Sequence, residues 1–153
     1  MNWLGRLTYH VVKFISPFVP YWQHDRVRIV LLNDHNEALL VKTWLSRQFW
    51  SLPGGGIERG ERPIESAIRE TQEETGILLE AQSLQKLADE TEPEMGFRYA
   101  VYVAHVTGRP LPRLSLWRRR EIIARKWWPI NRLPTPMPAY THTGIALARD
   151  KKS

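Results

Sequence analysis

Three carboxylates, Glu70, Glu73 and Glu74, stand at a spacing that could do chemistry. A helix turns about 100° per residue, so all three would fall within an arc of roughly 100° and share one side. Ile64, Ala67, Ile68 and Thr71 would project from a separate face, which lets the helix bury one stripe and present the acids on another. Like charges so close repel, and without a cation some of them would raise their pKa. A hard divalent ion turns that repulsion into coordination. Ligands that are all oxygen favour magnesium or manganese over zinc. Glu-rich helices are also commonly solvated charged faces, so E-x-x-E-E on its own leaves both readings open.

The elements around the acids narrow the choice. Pro63 suits the first turn of a helix, Glu65 lies near the positive end of its dipole, and Gly76 stops it, which predicts a helix over 63–75. Upstream, Phe49 to Leu52 reads as a short strand ending at Pro53. Gly54, Gly55 and Gly56 then make a backbone free of side-chain obstruction that can approach a ligand closely. In register, Gly55, Glu61, Arg69, Glu70, Glu73, Glu74, Gly76 and Ile77 match the signature G-x5-E-x7-R-E-U-x-E-E-x-G-U, where U is bulky aliphatic. With each residue type used at about one position in fifteen, the seven fixed positions would match by chance on the order of once in 10⁸ windows. The segment resembles the Nudix hydrolase family, and the likeness extends to Trp50–Gly56 and to Trp127-Trp128-Pro129-Ile130. One position departs from the pattern, because Thr71 occupies an aliphatic site and puts the local packing of the helix in question.

The resemblance implies an α/β/α architecture, a mixed β-sheet sandwiched between helices, spanning residues 21–153. It implies a magnesium-dependent hydrolase, with manganese as an alternative ion, that cleaves the pyrophosphate bond of a nucleoside diphosphate linked to another group. By position, Glu70 and Glu74 would bind metal directly, Glu73 would bind a second ion or orient water, and the Gly54 carbonyl would be a further ligand. Gly55, Glu61, Arg69 and Gly76 would be structural, with Glu61 and Arg69 forming a salt bridge that holds loop to helix and fixes ligand geometry. Glu121, six residues before Trp127, lies where relatives often add an acid from outside the motif, and Glu92 and Glu94 are its rivals. Attack by metal-activated water would use Glu70, Glu73 or the outside acid as proton acceptor.

The remaining chain is read from pattern. Arg26–Asn33 and Ala38–Val41 form a hairpin around a turn at Asn33 to Asn36, two strands follow within 81–91 and 97–106, Ile122–Trp128 returns to the sheet, and Thr141–Arg149 closes as a helix. Residues 107–120, rich in Pro and Arg, read as exposed loop. Residues 1–20 form an amphipathic extension with Trp3, Leu4, Leu7, Val11, Val12, Phe14 and Ile15 on one face. Arg6, His10 and Lys13 interrupt it, so it falls short of the roughly 18 apolar residues a bilayer crossing needs. It suits a cover for the core or a homodimer contact, with peripheral membrane attachment as the alternative.

With 153 residues, 42% of them hydrophobic and 25% charged, one ordinary globular domain is expected, and the absence of cysteine excludes disulfides and thiolate chemistry and fits a cytoplasmic setting. No P-loop, nucleophile elbow or zincin helix occurs. A net charge of +6 favours anionic partners. A nucleotide-derived small molecule is the first reading. RNA is the second, from the basic aromatic stretch of Trp117–Arg120 with Arg125–Trp128, and a non-catalytic nucleotide sensor is the third. Pro93 lies where ADP-ribose pyrophosphatases tend to carry a proline.

Overall fold

The computed structural model describes residues 25–44, 46, 49–92, 96–114 and 121–151. The expected N-terminal helix, Pro93, Glu94 and Trp117–Arg120 lie outside the described residues. Five strands, β1 (Arg26–Asn33), β2 (Glu37–Thr43), β3 (Gln85–Thr91), β4 (Arg98–Val106) and β5 (Ile122–Pro129), form one mixed sheet in the order β3-β4-β1-β2-β5. β1 runs parallel to β4, and the other adjacent pairs are antiparallel. Helices α1 (Pro63–Thr75) and α2 (Ala139–Asp150) cover its two faces.

Strand periodicity builds the two cores. Val27, Ile29 and Leu31 of β1 pack toward Ala67 of α1, while Val30 and Leu32 pack toward Ile145 and Ala148 of α2. Buried on both faces, β1 reads as a nearly continuous apolar run, as a central strand should. Arg28 interrupts that run on the α2 side and is nevertheless buried.

The hairpin opens from its turn. β1 and β2 pair at Leu32 and Ala38, next to an Asx-type turn in which Asn33 Oδ1 accepts from the His35 and Glu37 amides. Farther along, the strands part and the segment from Ser51 to Ile57 fills the gap. Ser51 exchanges both backbone hydrogen bonds with Val41, at 2.9 and 3.0 Å, and Ile29 and Val27 donate to the Pro53 and Gly55 carbonyls, each at 2.9 Å. The short strand expected over 49–52 is therefore a single bridge at Ser51. Residues 81–83, at the head of the expected third strand, form a 3₁₀ turn.

α1 begins and ends on its local signals. Glu65 Oε2 accepts from the Arg62 amide at 2.9 Å, Pro63 opens the first turn, and Gly76 at φ +76° donates to the Gln72 carbonyl. Thr71 is fully buried, and its hydroxyl donates to the Ala67 carbonyl at 2.7 Å. That bond satisfies the polar atom one turn back, so threonine packs at the aliphatic position without an orphaned group.

Candidate active site

The glycine segment reaches the acidic face of α1 because two of its residues lack a Cβ. At Gly54, where φ is +143°, a Cβ would lie 2.1 Å from the Val27 carbonyl oxygen. At Gly55 it would lie 2.3 Å from Glu70 Oε1. The backbone of β1 and the carboxylate of Glu70 thus press on the loop from two sides.

Arg69 organises the acids. Its Nε and Nη2 donate to Glu61 at 2.8 and 2.9 Å, Nη2 also reaches the Gly56 carbonyl at 3.0 Å, and Nη1 lies 2.8 Å from Glu70 Oε1 and 3.3 Å from Glu73 Oε2. One guanidinium therefore ties the glycine loop, the turn before α1 and two of the three helix acids together. The Arg69 hydrogen bonds hold the Glu61 carboxyl below its ordinary range. Burial pushes Glu70 up, and the 2.8 Å contact with Arg69 offsets this only in part.

Glu74 turns the other way. Its Oε2 accepts from the Gly54 amide at 2.9 Å, and no basic side chain among the described residues comes within ion-pair distance. Burial raises its pKa to about 8. A partly buried carboxylate beside two more acids and lacking a salt-bridge partner among the described residues has the chemistry of a cation ligand, and the oxygen-only donors fit a hard divalent ion. Among the described residues no three acidic or histidine side chains already converge as a finished cage. Arg69 holds Glu70 and Glu73 together while Glu74 faces the loop.

Glu121 is exposed in the turn before β5, and its carbonyl accepts from the Trp44 amide at 2.8 Å at the end of β2. Glu92 follows β3, and one of its carboxylate oxygens is buried without a hydrogen-bond partner. Arg125 and Trp127, read from sequence as candidates for RNA contact, are engaged within the protein. Arg125 donates to the Thr75 and Pro112 carbonyls and Trp127 to the Pro110 carbonyl, which fastens the loop after β4 across the end of α1.

Arg28 was not singled out from sequence. Its Nη1 donates to the Gly54 carbonyl at 2.8 Å, and its guanidinium lies 4.3 Å from the centre of the Tyr140 ring on α2. The available signal was a basic residue within the apolar run of a central strand.

A family model described as NUDIX domain matches residues 22–147. The chain is 34% identical over 116 residues to mouse 8-oxo-dGDP phosphatase NUDT18 and 32% identical over 116 residues to the human protein of the same name. Each alignment covers 74% of this chain and 35% of the relative, so the chain spans about a third of the length of the curated relatives it matches. Among solved structures it is similar to the NUDIX domain of Shewanella oneidensis NrtR complexed with ADP ribose, with a TM-score of 0.67 and 20% identity over 93% of this chain and 98% of that one. It also resembles a C. elegans Ap4A hydrolase binary complex, with a TM-score of 0.63 and 21% identity over 83% and 96% of the two chains.

Proposed function

Because the chain belongs to the Nudix family, we propose that it is a magnesium-dependent hydrolase of the pyrophosphate bond in a nucleoside diphosphate linked to another group, with manganese able to substitute. The observation that carries this reading is the partly buried Glu74 carboxylate, held by the Gly54 amide beside Glu70 and Glu73 with no salt bridge of its own among the described residues.

In this reading Glu70 and Glu74 hold the ion together with the Gly54 carbonyl, and Glu73 and Glu121 serve a second ion or a water. A divalent cation, when bound, supplies the Lewis acidity that lowers the pKa of water and neutralises charge on the leaving phosphate. Arg69 and Glu61 keep Glu70 and Glu73 in place, a task that fixes ligand direction. Gly55 leaves the space into which Glu70 projects. Glu70, Glu73 and Glu121 are the candidates to accept the proton of the attacking water, and truncating each in turn would separate them by their pH profiles.

The test is release of phosphate or nucleotide from a panel of ADP-ribose, dinucleoside polyphosphates, nucleotide sugars, nucleoside triphosphates and 8-oxo-dGDP, with and without magnesium. The last compound belongs there because the mouse and human relatives are named for it. Wild type should cleave at least one member only with the metal. Glu74→Gln, which keeps the volume and an acceptor for the Gly54 amide, should lower kcat on the order of 100-fold or more. Binding without cleavage by wild type would replace the enzyme with a nucleotide sensor.

A further inference from the structure

Arg28 is a charged residue within the apolar run of a central strand. It points to the α2 side of β1, the side on which Val30 and Leu32 are apolar, and it retains 6% of its surface exposure. Among the described residues it has no salt bridge, and its Nε is buried without a hydrogen-bond partner. A buried cation in this condition costs stability, and a hydrophobic side chain of similar volume would ordinarily serve the core better.

Its posture is held from two sides. Tyr140 lies under the guanidinium at 4.3 Å, and the Gly54 carbonyl accepts from Nη1 at 2.8 Å, while the weak 3.5 Å approach to the Val27 carbonyl adds little. Gly54 thereby joins a partly buried acid to a buried base, since its amide donates to Glu74 and its carbonyl accepts from Arg28. Arg28 acts on Glu70 and Glu74 through its charge without touching either carboxylate. With no salt bridge among the described residues, Arg28 stands beside the glycine loop as a cation able to accept an anionic partner.

We infer that Arg28 is a substrate-binding residue that takes an oxygen of the substrate's diphosphate beside the Gly54 carbonyl. The inference rests on the function proposed above and adds a specific anion contact to it. The guanidinium is fixed before substrate arrives, so little side-chain ordering remains when the phosphate binds. A carbonyl oxygen carries two lone pairs, so the Arg28 contact and a metal contact at Gly54 are compatible.

The test uses the whole chain and measures binding of ADP and of inorganic pyrophosphate by calorimetry with calcium present, comparing wild type with Arg28→Met, Arg28→Lys and the exposed control Arg132→Met. Arg28→Met should weaken both ligands by roughly 10- to 100-fold, the scale of one charge-assisted hydrogen bond, with Arg28→Lys in between and the control within about twofold. Affinity for calcium alone should stay the same or tighten, because a positive charge has left the neighbourhood. A merely structural arginine would instead lower the melting temperature and leave the ligand ratios near unity. Should Arg28→Met fail to fold, Arg28→Lys and Arg28→Gln carry the same comparison. Undiminished pyrophosphate binding by a folded variant overturns the inference even if wild type hydrolyses nucleotides. Wild type that neither binds nor cleaves any diphosphate removes the proposed function, and the inference with it.

Discussion

At the scale of single residues, the site depends on what glycine leaves out. Gly55 has no positive φ to defend, so alanine meets no backbone penalty there, only the Glu70 carboxylate at 2.3 Å. Gly55→Ala should therefore change the unfolding free energy by about 1 kcal/mol or less, because the far end of a flexible side chain can yield. The displaced carboxylate is one of the proposed ion ligands, and a shift near 1 Å at such a group costs about 100-fold in rate. Urea denaturation and metal-dependent turnover on the same preparation would check the pair. A large loss of stability with intact turnover would mean that Glu70 is not where the chemistry occurs. Gly54 is the harsher case, since its Cβ would strike the Val27 carbonyl.

At the scale of elements, the active face is positioned by how closely the helices approach the sheet. α2 comes near through Gly144, where a Cβ would lie 2.6 Å from Leu52 Cδ1 and 3.4 Å from Val30 Cγ2. Gly144→Val should destabilise by about 2 kcal/mol, the cost of overpacking a filled core, measured as a lower urea midpoint with unchanged slope. Leu52 leads directly into the glycine loop and Tyr140 of the same helix supports Arg28, so the variant should also weaken ADP binding. On the other face, α1 was legible from its ends inward. Pro63, Glu65 and Gly76 are local signals, and a helix satisfies its backbone within its own segment.

At the scale of the whole molecule, the contact that joins distant loops is also an acid-sensitive one. Glu37, buried at the start of β2, receives two hydrogen bonds from Arg109 at 2.6 and 2.8 Å and one from Asn33 at 2.8 Å, and together these lower its pKa from 4.5 to about 2. A carboxylate with a depressed folded-state pKa contributes stability that is present above 4.5 and lost as the pH falls through 2. Thermal melts of Glu37→Gln should show lower stability at neutral pH and a shallower decline between pH 4.5 and 2 than wild type. Parallel declines would place the acid sensitivity elsewhere. None of the helices formed by the described residues is long and apolar enough to cross a membrane. The helix with its three acids, the glycine run before it, the hairpin turn at Asn33 and the family were all legible in the chain's order of residues, because each depends on local backbone preference or on spacing within one segment. Folding in three dimensions set the rest: β1 lies parallel to β4, the glycine segment wedges between two parted strands, Arg125 and Trp127 fasten a loop, and Arg28 meets Gly54 across 26 positions. Such contacts pair residues far apart in the chain. Their partners are chosen by which buried polar groups must be satisfied once the sheet has closed, and a one-dimensional pattern does not carry that information.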